Sequence, residues 1–219
     1  MMDTIKKISD HWKDLSFGKE DLIWETGKAD TEVIKLEKEG FLKGIDSILE
    51  IGCGAGDTCK FFSELGINTF GIDIHPPSIR KALEKENKKL RFECSNFSDI
   101  KLNTDFDMIY DNTIYQNCVA KYTEEDVEAY LSKLYEITSP GTYFFGNWMK
   151  HDKELELLNP ALPLINIQDI IQDFASWWDI KFIREGLYDF TKDYNEEMGE
   201  EYKKMGGIKS YAVLMKRKV

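Results

Sequence analysis

The sequence predicts an α/β protein built on a doubly wound, mostly parallel, seven-stranded sheet with an antiparallel C-terminal edge. Three observations support this prediction. Short apolar runs alternate with segments of helical periodicity over most of the 219 residues. A glycine-rich turn follows the first buried run, and a polar stretch without a clear helix separates the last two runs. Alternation of strand and helix produces a parallel sheet that is covered on both faces.

The apolar runs predict the strands, and the segments between them predict helices. Strands are expected near 46–51, 68–73, 90–94, 106–110, 141–148, 179–187 and 209–217. Helices are expected at Thr58–Leu65, Pro76–Asn87, Thr123–Thr138 and Ile167–Ala175. Pro76 and Pro77 suit the first turn of a helix, and Thr123 with Asp126 has the pattern of a capping box. The polar stretch Lys192–Gly207 favours an antiparallel pair for the last two strands.

The composition narrows the class of protein. A single domain of 219 residues can bury a core without disulfides or a metal. The net charge of −11 argues against a duplex nucleic-acid partner, which usually requires a basic surface. The four cysteines have neither metal-binding nor disulfide spacing, so no metal is predicted. Because no signal peptide or membrane span is evident, we expect a protein of the reducing cytoplasm without a membrane partner.

Three glycines mark the turn that follows the first predicted strand. Gly52, Gly54 and Gly56 come directly after the run that contains Glu50. Glycines let the backbone approach a ligand closely and adopt a positive φ without steric cost. Asp73 ends the next predicted strand, where a carboxylate can accept hydrogen bonds from ribose hydroxyls. The pattern therefore indicates an adenosine-containing cofactor.

The spacing distinguishes between two such cofactors. A dinucleotide fingerprint needs a third glycine where this chain has Asp57. The glycine turn after Glu50 instead resembles the cofactor loop of class I S-adenosylmethionine-dependent methyltransferases. This resemblance implies that Glu50 lies near the methionine end of S-adenosyl-L-methionine and that Asp73 holds the ribose, with Ile74 also at the cofactor.

Further segments resemble the same family in chain order. Residues 92–99 occupy the place of the family's Gly-Asp-x-x-Asp segment, which implies that Asn96 and Phe97 contact the adenine. Residues 106–111 resemble the family's fourth strand and place Asp111 at the cofactor. The resemblance thus implies a Rossmann-like methyltransferase fold that extends over nearly the whole chain.

The N-terminal segment resembles one branch of the family. Residues 24–28, Trp-Glu-Thr-Gly-Lys, precede a predicted helix that runs to Leu42, as in the thiopurine and thiol methyltransferases. In that branch an equivalent tryptophan covers the cofactor, and an aromatic face suits a sulfonium. We therefore expect one methyltransferase domain, 1–219, in which residues 1–42 form a helical lid and Trp24 covers the cofactor.

The expected reaction is methyl transfer to a small, partly apolar acceptor, with sulfur or another chalcogen as the nucleophile. A thiol with a pKa of about 8.5 is partly ionised at neutral pH and needs no protein base. The alternatives are an oxygen or nitrogen acceptor, with Asp111, Tyr115 or His151 as candidate catalytic groups, and a cofactor-binding protein without catalysis. Aromatic residues are expected to line the acceptor pocket, namely Trp12, Trp24, Tyr115 and Trp148.

Overall fold

The computed structural model describes residues 22, 24–102, 105–121, 123–160, 162–190 and 205–219. The strands are β1 (Ser47–Ile51), β2 (Asn68–Asp73), β3 (Leu90–Cys94), β4 (Met108–Asn112), β5 (Tyr143–Met149), β6 (Trp178–Leu187) and β7 (Lys209–Arg217). The helices are α1 (Thr31–Lys38), α2 (Asp57–Glu64), α3 (Pro76–Leu83), α4 (Ile114–Lys121), α5 (Glu124–Glu136), α6 (Lys153–Leu158) and α7 (Ile167–Phe174). Within these ranges, no helix is long and apolar enough to cross a bilayer.

All seven strands belong to one sheet, in the order β3-β2-β1-β4-β5-β7-β6. The pairs of β1 with β2 and β4, of β2 with β3 and of β4 with β5 are parallel. Strand β7 inserts between β5 and β6 and is antiparallel to both. The predicted fold class is therefore confirmed, including its antiparallel C-terminal edge.

The helix boundaries differ from the predicted ones where short-range interactions end a helix. The predicted helix to Leu42 ends at Lys38, two residues before Gly40, which adopts a φ of +84°. The helix predicted to reach Asn87 ends at Leu83, and the backbone of Asn87 instead pairs with that of Leu90. Helices α4 and α6 were not predicted, and most of the polar stretch after residue 190 lies outside the described residues.

The two faces of the sheet bury different side chains because successive residues of a strand point to opposite faces. On one face Leu36 of α1 packs with Ile48 and Met108. On the other face Leu49 and Trp148 pack in a larger cluster that includes residues of α5 and α7. The alternation of side chains along each strand therefore determines which polar residue near the strand end points to the face covered by α1.

Asp111 of β4 connects four elements on the second face. Its Oδ1 accepts hydrogen bonds from the Trp148 indole (2.9 Å) and the backbone amide of Ile114 (3.1 Å). Its Oδ2 accepts from the Tyr130 hydroxyl (2.7 Å) and the backbone amide of Tyr115 (3.2 Å). Burial raises the pKa of Asp111 to about 6, although these bonds oppose the rise. The carboxylate thus ties β5, α4 and α5 to the end of β4.

Asp111→Asn should reduce the free energy of unfolding by about 2–4 kcal/mol. The amide of asparagine places an NH₂ group against donors that need an acceptor, and the side chain is fully buried. Urea unfolding at about pH 7.5, above the pKa of Asp111, measures the change. The exposed Asp99→Asn serves as the control, with an expected change within about 0.5 kcal/mol. Equal stability of the two variants would contradict this structural role.

Candidate active site

A cavity of about 300 Å³ opens at the carboxyl ends of the central parallel strands. This is the edge at which open α/β sheets bind ligands. One wall is the glycine turn after β1, and a second is the segment of residues 24–30 that precedes α1. The other walls include the ends of β2, β4 and β5, residues 188–190 after β6, and Asn159, Leu162 and Pro163 after α6. The volume is at the lower end of the range of small-molecule sites.

The glycine turn is held open by backbone conformations that favour glycine. Gly52, Gly54 and Gly56 have φ values of +76°, +52° and +79°. A Cβ added to Gly54 would meet no atom within 4 Å, so this position faces open space. The Gly54 amide donates to Oδ2 of Asp73 (2.8 Å), and the His75 amide donates to its Oδ1 (2.7 Å). Asp73 is therefore oriented by the turn beside it.

Glu50 is a nearly inaccessible carboxyl group in the cavity wall. It is 2% exposed and accepts a hydrogen bond from the Cys59 thiol at 2.9 Å. Burial, together with the charges of Asp30, Asp57 and Asp73, raises its pKa to about 8. Burial also raises the pKa of Asp73. A cation in the cavity would favour the ionised form of both groups.

Asp30 is a third acid of the cavity, and the sequence pattern alone did not indicate it. Its Oδ1 caps α1 by accepting hydrogen bonds from the amides of Glu32 (2.7 Å) and Val33 (3.1 Å). Its Oδ2 accepts from Nδ2 of Asn147 at 2.8 Å. Burial raises the pKa of Asp30 to about 6. An aspartate just before a helical pattern signals an N-cap, but only the packing of α1 on the sheet brings it to the cavity.

The charges around the cavity are predominantly negative. Asp57 forms an ion pair with Lys85 (3.0 Å), and Asp189 forms one with Lys28 (3.0 Å). Asp30, Glu50 and Asp73 take part in no ion pair within the described parts of the chain. Because buried carboxylates need a partner, the cavity is suited to a positively charged ligand.

The far side of the cavity combines amide and hydroxyl groups with a strained backbone. The Tyr188 hydroxyl donates to Oδ1 of Asn112 at 3.1 Å. Thr113 has a φ of +82°, unlike every other non-glycine residue that the structure describes. Its carbonyl accepts hydrogen bonds from the backbone and side-chain amides of Asn117 (3.1 and 2.6 Å), which hold this conformation. Strain of this kind in a β-branched residue is concentrated at functional sites.

Six of the residues proposed from the sequence to bind the cofactor line the cavity: Trp24, Glu50, Gly52, Gly54, Asp73 and Ile74. Gly56 does not line it but serves the turn, because a Cβ there would collide with the Phe92 ring. Asn96 and Phe97 lie outside the lining. The Asn96 side chain accepts from the amide of Ser98 (3.1 Å), and the Phe97 ring packs 5.1 Å from that of Tyr130.

The three candidate catalytic residues are also outside the cavity lining. Asp111 points to the opposite face of the sheet from Glu50 and is saturated with hydrogen bonds. The Tyr115 hydroxyl donates to Asp173 (2.6 Å) within the core on that face. His151 lies beside Glu156, 3.2 Å away, on the surface before α6.

The expected aromatic lining of the acceptor pocket is only partly present. Trp24 lines the cavity, whereas Tyr115 and Trp148 are core residues of the second face and Trp12 lies outside the described residues. In place of Tyr115 and Trp148, the structure brings Asn112, Thr113 and Tyr188 to the cavity. The period-two pattern of β4 could have identified Asn112, because it lies two residues from Tyr110, the register partner of Glu50.

The seven-stranded sheet and the glycine turn resemble those of the class I S-adenosylmethionine-dependent methyltransferases. Residues 49–144 match the family model described as a methyltransferase domain. The chain is 28% identical over 97 residues to the ubiquinone biosynthesis O-methyltransferase of Nitrobacter winogradskyi, a match that covers 43% of this chain and 35% of the relative. The chain thus spans about a third of the length of this curated relative.

Solved structures with the same fold are similar over most of their length. One comes from work on the conversion of a disulfide bond into a thioacetal group during echinomycin biosynthesis, with a TM-score of 0.76, 19% identity, and coverage of 96% of this chain and 93% of that chain. Another is the N-methyltransferase NodS from Bradyrhizobium japonicum with S-adenosyl-L-homocysteine, with a TM-score of 0.63, 12% identity, and coverage of 85% and 84%. At these identities the likeness establishes the fold.

The cavity fits S-adenosyl-L-methionine, the cofactor of this class. Gly54 leaves room for a ligand, and Asp73 can offer its remaining acceptor capacity to ribose hydroxyls. The acids suit the sulfonium and ammonium groups of the cofactor. Glu50, the glycine turn, Asp73 and Ile74 would hold it, and Trp24 lies at the cavity wall beside them.

Glu50 should make the stability of the ligand-free protein depend on pH. Its pKa is about 8 in the folded protein against an ordinary value of 4.5. Between these values the unfolded chain releases the proton that the folded chain retains, so the free energy of unfolding falls as the pH rises. Glu50→Gln removes this contribution and should flatten the fall. Urea unfolding at about pH 5, 6.5 and 8 measures it, with the exposed Glu64→Gln as control. Parallel pH curves for wild type and Glu50→Gln would contradict the assignment.

Proposed function

We propose that this protein transfers the methyl group of S-adenosyl-L-methionine to a small-molecule acceptor. The observation that supports this most strongly is the acidic cavity at the glycine turn, where Glu50 and Asp73 face a space that Gly54 leaves open. Residues 49–144, which match the methyltransferase domain, contain all three. A positively charged adenosine derivative satisfies both the ribose-binding geometry and the charge.

The role of the cavity residues in this reaction would be to bring the acceptor close to the methyl group, to orient it and to exclude water. The cofactor supplies an activated methyl group on a positively charged sulfur, and in-line displacement needs chiefly a correctly placed nucleophile. Asn112, Thr113 and Tyr188 would orient the acceptor on the far side of the cavity. The rigid hydrogen bonds around Thr113 keep these groups in place before the acceptor binds.

The first candidate for the acceptor is a thiol or another chalcogen. Asp111, Tyr115 and His151 do not line the cavity, so none of the bases that the sequence suggested is available there. An acceptor that ionises by itself is consistent with this arrangement, because a thiol is partly thiolate at neutral pH.

An oxygen or nitrogen acceptor is the second candidate, and one observation favours it. The Asp30 carboxyl lies in the cavity wall and has a pKa of about 6, close enough to neutrality to accept a proton. Asp30 thus takes the place of Asp111 and His151 as the candidate base.

A protein that binds the cofactor without catalysis is the third alternative. It would show no turnover with any acceptor class.

The N-terminal segment is proposed to act as a lid within a single domain that extends over residues 1–219. Glu25 accepts hydrogen bonds from Ser78 (2.7 Å) and Lys81 (2.6 Å) of α3, which anchors the segment beside Trp24. Lys28 reaches Asp189 on the other side of the cavity. The described part of residues 1–42 therefore crosses the cavity with a polar anchor at each side. We propose a small-molecule substrate, no nucleic-acid or membrane partner, and a cytoplasmic location.

Gly54→Val should weaken S-adenosyl-L-methionine binding by at least about tenfold, because the added side chain enters the space that faces the ligand. Gly66→Val is the matched control. Gly66 also has a positive φ and open space where a Cβ would be added, but it lies outside the cavity lining. Both variants carry similar backbone strain. Titration calorimetry of S-adenosyl-L-methionine, at equal folded fraction, therefore measures the effect of the cavity side chain on affinity. Equal affinity of the two variants would remove the cofactor site from this turn.

The acceptor class can be tested by single-turnover assays with thiophenol, phenol and aniline. If the acceptor is a thiol, its rate should rise with pH toward the pKa of the thiol, because the thiolate is the nucleophile. His151→Ala should leave the rate within about twofold, since His151 lies outside the cavity. A preference for phenol or aniline would replace the sulfur assignment with the second candidate.

A further inference from the structure

Two carboxyl groups of the cavity wall are buried, and they come from different elements. Glu50 lies on β1 beside the turn, and Asp30 lies at the start of α1. The resemblance to the methyltransferase family accounts for Glu50 at the methionine end of the cofactor, but it assigns nothing to Asp30. Asp30 is 6% exposed, and that exposure is to the cavity.

Asp30 interacts both with Glu50 and with the side of the cavity that would receive the acceptor. Its hydrogen-bond donor Asn147 is the register partner of Asn112, which lies on the acceptor side. The charge of Asp30 raises the pKa of both Glu50 and Tyr188, so it acts on both sides of the cavity. The methyl group must pass from the cofactor to the acceptor across this region.

The Asp30 carboxylate is held in one orientation by groups from two elements. Two amides of the first turn of α1 bind its Oδ1, and the Asn147 side chain of β5 binds its Oδ2. The Asn147 Oδ1 has no partner among the described residues, so this amide is directed by Asp30 alone. The backbone amide of Asp30 donates to the Thr58 hydroxyl (3.1 Å) in the first turn of α2. The group is preorganised, and its second oxygen retains acceptor capacity.

We propose that Asp30 faces the positively charged sulfur of bound S-adenosyl-L-methionine and enables the cavity to distinguish this methyl donor from its product, S-adenosyl-L-homocysteine. This inference rests on the proposed function. The donor and the product share the adenosine, the ammonium group and the carboxylate. They differ by one methyl group and one positive charge at sulfur, so a charged group changes their affinity ratio only when it acts at the sulfur.

The consequence for turnover follows from this difference. A carboxylate at the sulfur stabilises the donor and loses its partner when the charge disappears on methyl transfer. The product is then bound less tightly than the donor, which favours its release. Glu50, which the family resemblance places at the methionine end of the cofactor, would act mainly on groups that both ligands share.

The test compares the affinities of S-adenosyl-L-methionine and S-adenosyl-L-homocysteine by titration calorimetry for wild type and Asp30→Asn. We expect the affinity of the donor to fall about tenfold and that of the product to fall less than about threefold. Asn is as good an N-cap as Asp, so α1 should persist. Asp30→Ser, a second neutral N-cap, should give the same change in the ratio if Asn at this site perturbs the fold.

Asp152→Asn is the matched control. Asp152 caps α6 through the amides of Glu154 and Leu155, as Asp30 caps α1, but it lies outside the cavity lining. Its substitution should leave the affinities of both ligands unchanged. An equal loss of both ligands in Asp30→Asn and Asp30→Ser would overturn the inference, because Asp30 would then act on a shared group or on the fold. Failure of the wild type to bind the donor would instead refute the proposed function.

Discussion

The parallel pairing of β1 with β4 is the constraint on which the site depends. It places Glu50 opposite Tyr110, so that Glu50, Tyr110 and Asn112 point to the face covered by α1. Asp111 consequently points to the other face, where it organises Trp148 and the first turn of α4. A shift of one residue in this register would exchange the cavity groups with those of the core. The site and the core therefore depend on the same strand pairing.

Burying several carboxyl groups in the cavity wall removes them from water, which is unfavourable. Hydrogen bonds from the protein partly compensate for this loss. Glu50 receives one thiol hydrogen bond, whereas Asp30 receives three hydrogen bonds from amide groups. The pKa of Glu50 is accordingly raised further, to about 8, than that of Asp30, at about 6. A positively charged ligand would supply the interaction that these groups lack, which couples cofactor binding to their ionisation.

The strained backbone at Thr113 has a similar relation to function. Its positive φ is maintained by hydrogen bonds from Asn117, one helical turn further along the chain. The carboxylate of Asp111 simultaneously binds the amides of the two residues that begin α4. The sharp turn from β4 into α4 thus brings Asn112 and Thr113 to the cavity, while Tyr188 approaches from the distant end of β6.

The sequence by itself determined the fold class, the glycine turn and the acids at the ends of the first two strands. These features are local, since strand periodicity, a glycine turn and a residue at a strand end are all encoded within about twenty residues. The tertiary structure alone decided that Asp30 shares a cavity with Tyr188 and Asp189, because Asp30 lies more than 150 positions before them in the chain. It also decided the direction of Asp111, because the face to which a residue near a strand end points depends on the register of the sheet, which distant segments determine.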